Sequence, residues 1–408
     1  MKKLLFIESN TTGTGMLAIQ KARTLNVEPL FITNDPSRYK GLPRDCKVIV
    51  CDTNDIETLH HSIKKNVSQE QIAGITTTSE FYIHTVSLLA ERFDLPGNPA
   101  IAVEAVRNKA SVRSWLKDAT HLYKPWFLTV DSLNQLREKK ELLSFPCIVK
   151  PVDDSGSNRV VKCEKYEAVE KFVLSQLKIE RNTRNQLAKR LVLLEEYVGG
   201  QEYSVEMFSF EGDHQLIGIT EKTVGEGPYF VEMGHVFPAP DLSHEMRESI
   251  KVGALEVLNT MGWRNGPVHL EIKLKDHKMF VVEMNGRLAG GMIPELIRYS
   301  TSTDLLTQQI KIAIGQPPEI NKFSSCFAGI RFFVPLTSGR VKVYSIQQQE
   351  EIKDVKINVE DGQFVEKAKN AYGRLGHIIA THTNSDALRS ILRQTEIVTI
   401  KEEEGALQ

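Results

Sequence analysis

What this chain lacks narrows the reading first. It has no excess of either charge: 51 lysines and arginines stand against 52 aspartates and glutamates, a net of −1. A nucleic-acid binder ordinarily shows a basic excess or stripe. The charge runs here, Lys139–Lys140 and Glu402–Glu404, are short and read as solvated faces or a tail. Long apolar runs are missing too. Leu4–Ile7 is stopped by Glu8 after four residues, too few for the apolar region of a signal peptide. No later stretch approaches the ~20 apolar residues of a membrane span. The five cysteines (Cys46, Cys51, Cys147, Cys163 and Cys326) share no metal-ligand spacing and read as reduced core residues. No internal repeat or low-complexity tract is present. What is there, 408 residues with 41% apolar and 25% charged, is the composition of a soluble globular protein. The length suggests two or three packed units, expected in the cytoplasm with neither nucleic acid nor membrane as partner.

The first hundred residues alternate strand and helix signals. Strands are expected at Lys3–Glu8, Pro29–Thr33, Lys47–Cys51 and Ile72–Thr77, with helices at Met16–Leu25 and from Ser79-Glu80 to near Phe93. That alternation predicts a parallel α/β sheet. Leu95-Pro96-Gly97-Asn98-Pro99 punctuates the chain, and Pro317–Pro318 does so again. The expected division is therefore 1–102, 103–316 and 317–408. The middle unit mixes helices with hairpins. The last carries short strands around Gly329–Val334, Arg340–Tyr344 and His377–Thr381, then a helix at Ser385–Gln394 and a strand at Glu396–Lys401. Both of these units predict α+β.

The most informative stretch is Val268–Leu274 followed by Met279–Asn285. In the first run Val268, Leu270, Ile272 and Leu274 share one face, and His269, Glu271 and Lys273 the other. In the second, Phe280, Val282 and Met284 are expected on the apolar face, with Val281, Glu283 and Asn285 opposite. Both apolar faces must point the same way, and a three-residue loop at Asp276–Lys278 would set Glu271 across from Glu283. Like charges so placed destabilise a strand pair. A divalent cation removes the conflict, and oxygen ligands from Glu271, Glu283 and Asn285 suit Mg²⁺. Arg287 then offers a planar donor fork for phosphate. The alternative is a pair of solvent-facing strand glutamates.

Two weaker signals lie upstream. Phe145–Pro151 is a short buried strand carrying Lys150, and Asp153–Arg159, with Ser155-Gly156-Ser157, is a loop of turn-forming residues before the strand Val160–Lys162. Such a loop brings backbone N–H groups toward phosphate, although it is no Walker-type sequence and a plain hairpin turn reads the same. Leu191–Leu194 runs into Glu195-Glu196-Tyr197-Val198, then Gly199-Gly200-Gln201-Glu202. Strand, acidic pair, glycine turn and strand form either an adenosine wall or an ordinary hairpin flanked by exposed acids.

In order and spacing these segments, with Asn108–Arg113 before them, resemble the ATP-grasp superfamily. The resemblance implies a Rossmann-like pre-ATP-grasp unit, a two-lobed ATP-grasp unit and a small C-terminal α+β unit. It also implies roles. Lys109 and Lys150 would meet the phosphates or base of ATP, and Glu195 with the backbone at Tyr197 and Val198 the adenine. Glu202 would meet the ribose, and Glu271, Glu283 and Asn285 would hold Mg²⁺, or Mn²⁺ in its place. Met233–Ala239, Asn285–Gly291 and Tyr372–His377 look most like L-amino acid ligases of peptide-antibiotic pathways and related carboxylate–amine ligases of secondary metabolism. That likeness implies an acyl-phosphate pocket of His235, Arg287 and Gly290, with Gly291 beside it and Glu80 recognising a substrate amino group. As a helix-start acid, Glu80 could equally serve the helix dipole. The chain departs from the family's usual proline between the asparagine and the arginine, having Gly286.

The expected reaction is ATP-dependent activation of a small carboxylate as an acyl phosphate, then transfer to an amine. Glu226-Gly227-Pro228 within Thr223–His235 reads as a lid that keeps water out. A carrier-protein thiol is the alternative acceptor, from a separate acyl carrier protein. A catalytically silent nucleotide-binding relative is the competing class. A homodimer is one option for assembly. Gly13-Thr14-Gly15 after the first strand raises a dinucleotide-binding reading, but Ala18 stands where a third glycine would be, and the acidic hairpin would be unexplained.

Overall fold

The computed structural model describes residues 1–11, 15–156, 158–225, 229–321, 323–345, 349–395 and 397–401. The readings placed on Gly13-Thr14, Ser157, Glu226-Gly227-Pro228 and Glu402–Glu404 lie outside them.

The N-terminal unit is a parallel sheet of β1 (Lys3–Ile7), β2 (Glu28–Thr33), β3 (Lys47–Val50) and β4 (Ile72–Thr76) in the order β3-β2-β1-β4. Its inner strands are apolar on both sides because both sides are covered. Leu4, Phe6 and Phe31 pack with α1 (Gly15–Thr24), while Leu5, Ile7, Leu30 and Ile32 pack with α2 (Ile56–Asn66) and α3 (Ile83–Phe93). Asp55 caps α2 by accepting the Thr58 N–H at 2.7 Å, satisfying a donor the helix cannot. At Gly15 a side chain would collide with the Asn10 carbonyl. This glycine serves close packing of the chain against its own first loop.

After α4 (Ala100–Val106) and α5 (Lys109–Trp115) the chain builds a small lobe. Its elements are β5 (Phe127–Val130), α6 (Leu133–Glu138), β6 (Cys147–Pro151), β7 (Val161–Cys163), α7 (Tyr166–Leu177) and β8 (Val192–Glu196). The sheet runs antiparallel in the order β5-β8-β6-β7, over a core that holds Cys147, Val149, Val173 and Leu194.

The large sheet begins with β9 (Glu202–Phe210), β10 (Asp213–Val224) and β11 (Glu232–Phe237). Then come α8 (His244–Thr260), the hairpin of β12 (Gly266–Lys275) and β13 (Lys278–Asn285), α9 (Ile293–Thr301) and α10 (Leu305–Ala313). The final residues add β14 (Phe327–Phe332), β15 (Gly339–Val343), β16 (Ile352–Ile357), β17 (Phe364–Val365), β18 (Gly376–His382), α11 (Ser385–Gln394) and β19 (Val398–Lys401). Eight strands join as β13-β12-β9-β10-β11-β14-β18-β16, so the sheet runs on across residue 317. One face packs on α8 through Val205, Met207, Leu270, Ile272, Val257 and Leu258. On the opposite face Glu202, Glu271, Lys273 and Glu283 lie across from Lys150 and Glu195 of the small lobe. All five cysteines are free thiols, three of them buried. Among the described residues no helix is long and apolar enough to cross a membrane.

Candidate active site

The hairpin brings Glu271 and Glu283 directly opposite each other, by a route that differs from the one expected. Asp276 and His277, both at positive φ (51° and 61°), form a two-residue turn that pairs Lys275 with Lys278. These are the backbone signs of a type I′ turn, whose twist matches the flanking strands. With that turn Met279 and Val281, not Val282, face the core beside Leu274 and Ile272. Phe280 and Val282 line the cleft instead. A bulge at Val282 restores the parity, so Glu283 meets Glu271, Met284 meets Leu270 and Asn285 meets His269. The bulge has a second use: the Val282 carbonyl accepts from Arg113 Nη2 at 3.1 Å and from Lys150 Nζ at 3.3 Å.

Between this hairpin and the small lobe lies a cleft lined by Lys109, Lys150, Glu195, Glu196, Tyr197, Val198, Glu202, Glu271 and Glu283, which are residues the sequence singled out. The cleft itself is about 70 Å³, and a trough of about 680 Å³ shares its Tyr197, Glu202 and Lys273 walls. Tyr197 and Phe230 stack with centroids 6.4 Å apart, giving the hinge an aromatic wall. Glu195 is buried with Arg113 (2.8 Å) and Lys150 (2.5 Å) on either side. Burial would raise its pKa, but the two cations hold it below the usual carboxylate range. Glu196 is held by the Tyr123 hydroxyl and Lys275 at the rim. Lys109 reaches Glu283 at 3.1 Å and donates to the Asp154 carbonyl at 2.6 Å. Asp154 in turn takes the Ser155 N–H, Asn158 and Arg159, which ties down the loop after β6.

Nothing in the sequence marks out Lys222. It is 2% exposed on β10, with Glu202 at 2.9 Å, Glu232 at 2.9 Å and Glu271 at 2.8 Å. Burial works against its charge, yet the three carboxylates raise its pKa well above the ordinary value. Its partners come from three strands, so no sequence spacing could have disclosed the cluster. His269, bonded to Glu206 at 2.8 Å and within 3.4 Å of Glu271, is pushed up to about 9 by those acids against the effect of burial.

Past Asn285 the chain turns into a larger cavity, about 710 Å³, lined by residues of the N-terminal sheet unit, the small lobe and the large sheet. Arg287, Gly290, Gly291, Ser155 and Glu80 line it, together with Arg374 and His377 from the C-terminal segment. The Glu80 carboxylate is taken by two guanidiniums, Arg287 at 2.8 Å and Arg107 at 3.2 Å. It therefore positions Arg287 on the cavity wall that both share. Arg287 also donates to the Leu288 carbonyl at 2.8 Å. His235 is not on the cavity wall. It stands behind Gly291, where an added Cβ would lie 2.5 Å from its Nε2, and neither ring nitrogen has a hydrogen-bond partner among the described residues. Burial pushes its pKa down to about 3, so the ring is neutral. Gly286 has a local reason as well: a Cβ there would collide with the Trp263 ring.

Against known proteins, residues 143–295 match the ATP-grasp domain and residues 331–396 match the L-amino acid ligase C-terminal domain 2. The structure superposes on the L-amino acid ligase from Bacillus licheniformis with a TM-score of 0.80 at 23% identity, covering 97% of this chain and 96% of that one. Phosphoribosylglycinamide synthetase from Anaerococcus prevotii gives a TM-score of 0.71 at 17% identity, over 99% and 100% of the two chains. Residues 143–295 thus carry an ATP-grasp domain, and the chain has the ATP-grasp fold. Within it the likeness is to the L-amino acid ligases, whose C-terminal domain it carries. In sequence it is 21% identical over 397 residues to the L-arginine-specific L-amino acid ligase of Bacillus subtilis, covering 91% of this chain and 93% of that protein. An uncharacterized protein of Sinorhizobium fredii, y4rH, is 27% identical over 405 residues, covering 97% and 82%.

Proposed function

We propose that this protein is an ADP-forming carboxylate–amine ligase acting on small molecules. One observation carries the reading: a single strand sets Glu283 on the cleft wall opposite Glu271 and Asn285 opposite His269, and the chain then runs directly on to Arg287 and Gly290–Gly291 at the wall of the larger cavity. Nucleotide and acid would thus meet across one short segment. ATP as substrate would lie between the lobes, its base against Tyr197 and Val198 and its phosphates toward Lys109, Lys150 and the Ser155-Gly156 turn.

The paired carboxylates and the Asn285 oxygen fit Mg²⁺ by chemistry, being hard oxygen donors. Among the described residues no three His, Cys, Asp or Glu side chains cluster to hold a metal by themselves. Bound there, Mg²⁺ supplies positive charge beside the triphosphate. The acid's carboxylate oxygen attacks the γ-phosphorus, ADP leaves, and an acyl phosphate forms. The amine then attacks the carbonyl carbon, phosphate departs and the nitrogen gives up a proton. Arg287, fixed by Glu80, neutralises the transferring phosphoryl group. A ring with the low basicity of His235 is a poor proton acceptor, so we assign it to shaping the wall at Gly291.

The test is ADP release across single and paired amino acids, with mass spectrometry of the products. The reading expects ADP and a condensed product from an acid and an amine alone. ADP formed only after addition of a phosphopantetheine-bearing carrier protein would replace the amine with a thiol. ATP binding without ADP across a broad carboxylate panel would leave a catalytically silent relative.

A further inference from the structure

We infer that the larger cavity takes a second anionic group besides the carboxylate that reacts, and that Arg184 is the side chain that pairs with it. This rests on the ligase reading above and names the substrate chemistry of the same site.

Arg184 lies on the segment between α7 and β8, which leaves the small lobe and docks on the N-terminal unit. Asn54 Nδ2 donates to the Arg184 carbonyl at 3.1 Å, and Gln186 Nε2 to the Phe81 carbonyl at 3.1 Å. The side chain is held as firmly as the backbone. Its Nη1 donates to the Tyr39 hydroxyl at 3.1 Å and its Nη2 to the Ser9 carbonyl at 2.8 Å. Both acceptors are neutral. Glu8, on the other side of Tyr39, accepts from Thr33, Thr53, the Asn34 N–H and Tyr39 itself. Its oxygens are thus occupied, and Tyr39 stands between them and Arg184.

A guanidinium does not lose its proton, so a charge is buried here to 8% exposure without a carboxylate against it. Arg184 also lines the 710 Å³ cavity, where an anion would complete the pairing. The rest of the wall points the same way. Arg38, Arg287, Lys356 and Arg374 line it as well, against Glu80 as the one carboxylate among the described lining residues. Glu80 is already shared by Arg107 and Arg287. Arg374 is matched by Glu232 at 2.5 Å and Arg38 by Asp35 at 3.2 Å. Lys356 has no charged partner among the described residues, and it and Arg184 are the two positive charges left over. A cationic side chain, such as the one named for the L-arginine-specific relative, would meet repulsion here. The anion is a carboxylate or phosphate carried on the side chain of the acid substrate or of the amine acceptor.

Calorimetry on the full chain with Mg²⁺ and ADP present, comparing glutamate with glutamine, aspartate with asparagine and O-phosphoserine with serine, reads the preference without turnover. The charged member of at least one pair should bind tenfold or more tightly. Arg184→Gln should abolish that difference while leaving the neutral member within twofold, and Arg184→Lys should keep part of it. ADP-release kinetics then locate the anion. With a dicarboxylic acid and hydroxylamine, Arg184→Gln should raise KM for the acid; with alanine and a carboxylate-bearing amine, it should raise KM for the acceptor. A rise in either assigns the group. Equal binding of charged and neutral members, tightest binding of lysine or arginine, or an Arg184→Gln enzyme with both KM values unchanged overturns the inference. Turnover of neutral acids without charge preference sinks this inference and leaves the ligase reading intact. Charge-selective binding with no ADP from any acid does the reverse.

Discussion

Glu271 and Glu283 face each other, yet each is held by a different lysine, Lys222 at 2.8 Å and Lys109 at 3.1 Å. Replacing one acid by its amide keeps the shape and removes the charge. We expect Glu283→Gln to fold normally by circular dichroism and to lose about 100-fold or more in ADP release. Near-normal turnover would remove this pair from the chemistry. His235 makes a separate prediction, through stability. Its folded pKa of about 3 lies below the ordinary value of 6.5, because burial disfavours the charged ring. Between those values the unfolded chain binds a proton that the folded chain does not, so stability falls as pH drops. Lowering the pH from about 6.5 to about 5.0 should remove about 1.5 kcal/mol through this one group, as protonation of the unfolded chain grows more favourable by about 1.4 kcal/mol for each pH step of one. Urea denaturation should show His235→Gln losing that much less over the same interval. Equal losses would mean that the ring is not held neutral.

At the scale of elements, β12 and β13 carry the site, and what sets their geometry was only partly legible. The alternation of β12 decides which side chains share a face, and Glu271 stands where that alternation puts it. In β13 the expected loop is one residue longer than the turn that forms, and no local pattern announces the bulge at Val282; the two differences cancel at Glu283. Asp276 suits a tight turn at positive φ, but His277 stands where glycine is usual, so turn chemistry gave only a weak warning. Just beyond the strand, Gly286 is dictated by Trp263. We predict that Gly286→Ala costs about 1–3 kcal/mol by overpacking. In a Trp263→Leu background the same change should cost far less, a coupling read directly from a double-mutant cycle of denaturant midpoints. Additive costs would place the constraint elsewhere.

For the molecule as a whole, the cleft proposed for nucleotide lies between two separately packed sheets, and the larger cavity gathers residues from the N-terminal unit, the small lobe and the large sheet. A ligand that bridges the lobes should therefore stabilise the entire fold. A non-hydrolysable ATP analogue with Mg²⁺, at about a hundredfold excess over its Kd, is expected to add ~2.7 kcal/mol and raise the melting temperature by several degrees. The analogue with EDTA should give a smaller shift. No shift in either case would mean that the cleft does not take nucleotide.

By itself the sequence determined what depends on neighbours along the chain. Alternation placed Glu271 on a polar strand face, strand–helix succession announced the parallel sheet, and the series of short motifs carried the ATP-grasp resemblance. Contacts between distant segments were decided only on folding. Lys222 among three carboxylates, Glu80 locked to Arg287, His235 hidden behind Gly291 and Arg184 turned into the cavity each join residues far apart in the chain. Strand order and lobe docking set those meetings, and no local periodicity encodes them.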